Sequence, residues 1–306
     1  MSLVLLDQSE YKRLDAKAYD REKRKLRIEL LKLQEDVIKN NRKICIVFEG
    51  RDTAGKSTAI KFFSEYLRPQ HFNYVQLGIP TKWESSHWFQ RWSKALPKEG
   101  EISFLDRSWY TRAITEPIMG YCNEKQYRYF MKKVNNWEKK LIDKGLVLIK
   151  IYLSISKENQ KLRFQFRKDH DLKYWKLSTN DWKAHKNWQL LTDYKEQMFE
   201  QTSTKKAPWV VINSDNKMIA RLNAIRYVLS KIDYPDRKDL KPKKWSKESP
   251  LYNISLFNTQ FNSLNREQYE FCLLYTSPSP RDVEESGMAA WGWKKRGGGG
   301  GGGGGG

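Results

Sequence analysis

Residues Gly50-Arg-Asp-Thr-Ala-Gly55-Lys56-Ser57 fit the pattern G-x-x-x-x-G-K-[ST] in full, and this octapeptide constrains the chain more than any other feature. The pattern works only between a strand and a helix. Here an apolar run, Lys43-Ile-Cys-Ile-Val-Phe48, precedes it, and a helix-forming stretch follows to about Leu67, where Arg68-Pro69 stops it. The two glycines let the backbone curl so that successive N–H groups face phosphate oxygens. The helix N-terminus adds partial positive charge. Lys56 is expected to reach terminal phosphates and Ser57 to ligate Mg2+. Gly50, Arg51, Thr53, Ala54, Gly55, Lys56, Ser57 and Thr58 together form the expected phosphate cradle.

A carboxylate inside such a loop is unfavourable beside a polyanion unless it has a metal or a proton to manage. Asp52 is therefore a candidate metal or catalytic group, the alternative being a turn residue bonded to its own backbone. The run Ile102-Ser-Phe-Leu-Asp106 reads as a strand ending in a carboxylate, an arrangement that places Asp106 toward a metal and its waters.

The remaining pattern alternates strands with long helices. Leu26, Leu30, Leu33 and Val37 share one helix face within 21–40. Strands are expected at 72–77, 146–153 and 209–212. Helices are expected at 83–96, around the stripe 127–141, at 157–176, 180–202 and 217–230. This order predicts an α/β fold, a parallel sheet flanked by helices, with ligands outside the carboxyl ends of the strands. Trp83, Trp88, Phe89 and Trp92 could stack a base, but their helical spacing favours the core.

The chain has 306 residues with 57 Lys+Arg against 36 Asp+Glu, a formal net charge of +21. Such a balance suits a polyanionic partner. No apolar run approaches the length of a membrane span, and the start lacks a signal-peptide pattern, so a cytoplasmic protein without a membrane partner is expected. Cys45, Cys122 and Cys272 lie too far apart for a metal cluster or disulfide framework. His71, His87, His170 and His185 are scattered. Residues 1–20 read as an N-terminal extension, 21–231 as the main domain and 232–271 as a basic extension. Residues 272–306, ending in the run Gly297–Gly306, have the composition of an artefactual, disordered tail.

Several segments resemble the type 2 polyphosphate kinase family in consistent order across residues 21–231. Val47-Phe-Glu-Gly-Arg-Asp-Thr-Ala-Gly-Lys56 is similar to its phosphate loop, and Phe104-Leu-Asp-Arg-Ser-Trp-Tyr110 to its second motif. Trp175-Lys-Leu-Ser178, Asp181-Trp182, Thr202-Ser-Thr204, Ala207-Pro-Trp209 and Arg221-Leu-Asn-Ala-Ile-Arg226 resemble its lid and downstream signature. The resemblance implies a P-loop kinase-like fold with a helical lid, here about 157–178, and a homo-oligomer. It implies reversible, Mg2+-dependent phosphoryl transfer between inorganic polyphosphate and a nucleotide, ADP/ATP or GDP/GTP. By position, the resemblance implies that Asp52 and Asp106 would be the acidic catalytic residues and that Lys56 and Arg107 would contact the transferring group. Asp52, Ser57 and Asp106 would face the metal. Arg112, Arg163, Arg167 and Lys168 would be cations for the polyphosphate and the lid. Residues 157–176 hold seven Lys/Arg against three Asp/Glu, in keeping with a basic channel.

Two positions depart from the family pattern. The loop ends Lys56-Ser57-Thr58 where many members have glycine, and Thr111 stands where diphosphate-using members have Asn and monophosphate-using members often have an acid. Thr111-Arg112-Ala113 is nearer the diphosphate type, which points to ADP or GDP. The competing readings are an ATP-dependent kinase of small molecules or nucleoside monophosphates and a nucleic-acid-binding P-loop ATPase. The second lacks any recognition-helix, zinc-finger or RNP signature, so nucleic acid is not the expected partner.

Overall fold

The computed structural model describes residues 3–6, 16–172, 174–238 and 240. The expected tail from 272 onward, and nearly all of the basic extension beyond 240, lie outside the described residues.

Six parallel strands form one sheet: β1 (Leu3–Leu6), β2 (Lys43–Gly50), β3 (Phe72–Val75), β4 (Glu101–Asp106), β5 (Leu146–Ser154) and β6 (Trp209–Asn213). Their order is β1-β6-β5-β2-β4-β3. The sheet therefore grows outward from β2 in both directions, and β2 is the switch point at whose carboxyl end a crevice opens. β2, β4, β5 and β6 are apolar and almost wholly buried, as a sheet covered on both faces requires. β1, within the expected N-terminal extension, joins the edge by pairing Leu3–Leu6 with Trp209–Ile212.

The helices are α1 (Ala16–Lys39), α2 (Lys56–Ser64), α3 (Lys82–Ser86), α4 (Trp88–Ser93), α5 (Thr111–Met119), α6 (Glu124–Asp143), α7 (Lys157–Asp169), α8 (Thr179–Lys186), α9 (Trp188–Thr202) and α10 (Lys217–Lys231). The α1 stripe Leu26, Leu30, Leu33 and Val37 is fully buried. The single helix expected over 83–96 is two short ones, because His87 leaves helical geometry at φ −115 and ψ 48. Trp88 and Trp92 enter the core, whereas Trp83 is 52% exposed and stacks on His87 with ring centroids 4.4 Å apart. Asn187 interrupts the 180–202 stretch in the same way, at φ −91 and ψ 37. α5, where no helix was expected, carries Pro117 inside it. No helix among the described residues is long and apolar enough to cross a membrane.

One buried polar network fixes the segment after β4. Glu138 of α6 accepts from Trp109 Nε1 at 2.8 Å and Tyr110 OH at 2.6 Å, and pairs with Lys150 of β5 at 2.9 Å. Lys150 also donates to the Thr202 carbonyl at 2.8 Å. Removing one partner of such a pair leaves a desolvated charge. Lys150→Met is expected to destabilise the fold by about 3–5 kcal/mol in urea titrations. Adding Glu138→Gln should recover part of that loss, since the neutral amide oxygen still accepts from Trp109 and Tyr110.

Candidate active site

The loop that opens at Gly50 has the backbone its sequence requires. Gly50 has φ +145, and a Cβ there would lie 2.4 Å from the Leu153 carbonyl oxygen of neighbouring β5. Gly55 has φ +103 and caps α2, with no side chain bonded over the helix end. The first-turn N–H groups of α2, beginning at Lys56, thus lack a carbonyl one turn back and face the crevice. Thr53, though not glycine, has φ +65. Lys56 curls over the loop and donates to the carbonyls of Gly50 at 2.9 Å and Arg51 at 3.1 Å. Burial, with Arg107 beside it, pulls the Lys56 ammonium below the usual lysine range against the pull of Asp52, Asp106 and Glu49.

Adjacent β4 brings the second motif to the same end of the sheet. Asp106 stands beside Phe48 in the β2–β4 register. The Ser57 hydroxyl donates to Asp106 Oδ2, and Tyr74 OH of β3 donates to the same oxygen at 2.9 Å. Arg107, left-handed at φ +68, reaches back across the crevice and donates to Asp52 Oδ1. Burial would raise the Asp52 carboxyl, but Arg107, Lys56 and Arg167 outweigh it and hold Asp52 below the usual carboxylate range. Asp52, Lys56, Ser57, Asp106 and Arg107, drawn from two separate sequence motifs, therefore form one cluster. Ala54 is buried in the loop's wall, and Thr58 is half-buried on α2.

Struts behind the loop were not legible in the sequence. Glu49 is buried, and its Oε1 accepts both the N–H and the hydroxyl of Ser108 at 2.7 Å. Burial pushes its carboxyl up, against the pull of Arg107. Gln160 donates to the Asp52 carbonyl at 2.9 Å. The one available signal for Glu49 was a charge at the end of an apolar strand.

The proposed lid and polyphosphate cations divide. Arg163 is 3% exposed, and its guanidinium donates to the carbonyls of Thr53 at 2.8 Å, Ser214 at 2.7 Å and Asp215 at 2.9 Å. It holds the loop from behind. Arg167, half-buried near the end of α7, acts on Asp52 by its charge, and Lys168 is exposed. Arg112 is 1% exposed; it pairs with Glu116 at 2.7 Å, donates to the Ser85 carbonyl at 3.2 Å and lies 4.2 Å over the Trp88 ring. Arg51 turns away from the loop mouth toward α9, donating to the Trp188 carbonyl at 2.9 Å and Thr192 Oγ1 at 2.7 Å.

A cluster of amides, one lysine and one arginine can neutralise tetrahedral oxyanions. The Ser57–Asp106 oxygen pair suits a hard divalent cation of the magnesium type, which takes one or two carboxylates and leaves other positions to water and phosphate. No set of three or more His, Cys, Asp or Glu capable of holding a metal occurs among the described residues.

The family model described as Polyphosphate kinase 2 (PPK2) matches residues 13–240. A GDP-polyphosphate phosphotransferase of Pseudomonas aeruginosa is 44% identical over 226 residues, which cover 74% of this chain and 63% of that protein. A GDP-polyphosphate phosphotransferase of Mycolicibacterium smegmatis is 44% identical over 222 residues, 72% of this chain and 78% of that protein. The crystal structure of Polyphosphate Kinase 2 from Arthrobacter aurescens TC1 superposes with a TM-score of 0.65 at 26% identity, covering 74% of this chain and 83% of that one. The chain thus spans less than two thirds of the Pseudomonas relative's length.

Glu49→Ala is expected to lower stability by about 1–3 kcal/mol, because the buried Ser108 N–H loses its acceptor. Glu49→Gln should lose much less, since the amide oxygen can take the same two bonds. Urea unfolding of the two variants checks this.

Proposed function

The chain belongs to the polyphosphate kinase 2 family, and from that membership we propose that it transfers the terminal phosphoryl group of inorganic polyphosphate to a nucleoside diphosphate, GDP or ADP, reversibly. The observation that carries this reading is the Asp52–Arg107 contact, which closes the phosphate loop onto the second motif. In the transfer, the bond from the last phosphorus to the chain's bridging oxygen breaks. A new bond forms to a terminal oxygen of the diphosphate, leaving the chain one unit shorter.

The roles follow from position. The loop amides and Lys56 hold the phosphoryl group to be moved. Arg107 neutralises charge on the equatorial oxygens, and Asp52 fixes the Arg107 guanidinium. The diphosphate's terminal oxygens ionise near pH 6, so the acceptor needs no strong base at neutral pH. That suits Asp52, whose carboxyl is held below its usual range by the charges around it. Phosphoryl transfer of this kind is positioning and electrostatics more than covalent chemistry. Ser57 and Asp106 would hold Mg2+, which when bound supplies charge neutralisation to the phosphates. The reading includes a cytoplasmic protein that assembles with its own copies.

Incubation with long-chain polyphosphate, GDP or ADP and Mg2+ is expected to yield the triphosphate, read by chromatography. Absence of both GTP and ATP would overturn the reading, and product formed only when ATP is the donor would favour an ordinary nucleotide kinase. Lys56→Ala should lower turnover by about 10²–10³-fold, with the fold intact by circular dichroism. Asp106→Asn should raise the Mg2+ needed for half-maximal rate by about ten-fold or more.

A further inference from the structure

One side chain of α7 joins the phosphate loop to α8. Gln160 is 1% exposed, and its amide stands between two partners. One end lies 2.9 Å from the Asp52 carbonyl oxygen, the other 2.8 Å from His185 Nδ1. A carbonyl oxygen only accepts, so Gln160 turns its Nε2 to Asp52. Its Oε1, also an acceptor, then faces His185. The His185 Nδ1 must therefore carry the hydrogen, and in the neutral ring Nε2 is bare. Among the described residues, His185 is the side chain that bonds the Gln160 oxygen.

The ring is itself held in place. It is half-buried on α8 and meets Phe164, Trp182 and Trp188 edge-on, at centroid separations of 5.8, 6.3 and 6.1 Å. Burial, with Lys157, Arg51 and Lys161 beside it, pulls the imidazole below the usual histidine range against the opposing charge of Glu158. The neutral ring is thus the form that the site favours.

What the connection holds is the strained part of the loop. Thr53 is left-handed at φ +65, and Arg163 takes its carbonyl at 2.8 Å. Gln160 takes the preceding carbonyl, that of Asp52, whose carboxylate meets Arg107. A tilt of the peptide between Asp52 and Thr53 would swing that carboxylate away from the guanidinium. An amide bonded at one end can rotate, whereas one bonded at both is fixed. We propose that His185 is a positioning residue for phosphoryl transfer: its Nδ1–H fixes the Gln160 amide, which fixes the Asp52 peptide and so the Asp52–Arg107 pair. The kinetic part of this rests on the transferase reading above. If His185 merely filled space among aromatic rings, leucine would replace it better than the small, polar asparagine.

The test joins long-range proton–nitrogen NMR of the wild type, without substrate at about pH 8, well above the ordinary imidazole range, to steady-state kinetics with polyphosphate and GDP. The spectrum should show His185 protonated on Nδ1 and bare on Nε2; the opposite tautomer overturns the proposal. His185→Leu is expected to lower kcat about ten-fold while KM for GDP shifts by less than about two-fold. In His185→Asn the side-chain N–H stands where Nδ1–H stood, and kcat should return to within about three-fold of wild type. An unchanged kcat in His185→Leu, a loss carried by KM alone, or an asparagine variant slower than the leucine one each overturns the assignment. Should His185→Leu not fold, His185→Met is measured under the same criteria. Wild type that shows the Nδ1–H tautomer but forms no triphosphate would sink the transferase reading and leave the link from His185 through Gln160 to Asp52 standing.

Discussion

The contact between Asp52 and Arg107 is the constraint on which the rest depends. Asp52 belongs to the loop after β2 and Arg107 to the turn after β4. The two residues are 55 positions apart in sequence and meet because β2 and β4 are hydrogen-bonded neighbours whose carboxyl ends coincide, Phe48 beside Asp106. A parallel sheet that switches direction at β2 makes that meeting unavoidable. Each loop alone would be a strained turn: Thr53 and Arg107 both hold positive φ without being glycine. Such strain, of about 1–3 kcal/mol each, persists only where the surroundings over-determine it.

Those surroundings are polar and buried. Arg163 and Gln160 hold the carbonyls of Thr53 and Asp52 from α7, and Glu49 holds Ser108, next to Arg107, from β2. Glu138 and Lys150 then fix Trp109 and Tyr110 beneath. The two loops are thus clamped from behind by charges whose partners are nearly all in place. Of the cations in the cluster, Lys56 is bonded to loop carbonyls and Arg107 to Asp52, and these are the two that the proposed transfer assigns to phosphate. The base of α7 is in this way a buttress to the loop, and Arg167, one turn further along the same helix, acts on Asp52 by its charge.

Much of this was legible because it is local. A phosphate loop announces itself by glycines at fixed spacing, and the apolar runs 43–48, 102–106, 146–153 and 209–212 could only be buried strands. The family resemblance, read from the order of its motifs, agrees with the match over residues 13–240. What periodicity could not supply was the occupant of a helix face. Arg163 and Arg167 sit four apart and read alike, yet one is buried against three carbonyls and the other is half-buried with its charge toward Asp52. Arg51 and Arg112 read as phosphate ligands, yet Arg51 turns its Nη2 to α9 and Arg112 is held by Glu116 and Ser85. α5 was missed because Pro117 masks its pattern, and the breaks at His87 and Asn187 depend on backbone angles that no residue type there requires. β1 was missed because four residues carry too little pattern to separate a strand from an extension.

If one ionic contact welds two motifs into a single catalytic unit, losing either side should have nearly the same consequence as losing both. A double-mutant cycle on Asp52→Asn and Arg107→Gln measures this through the rate of triphosphate formation from polyphosphate and GDP. The account predicts that the double variant is no slower than the worse single one, a coupling of about ten-fold or more. Losses that multiply, so that the double variant falls by the product of the two single effects, would show the residues acting independently and would contradict it.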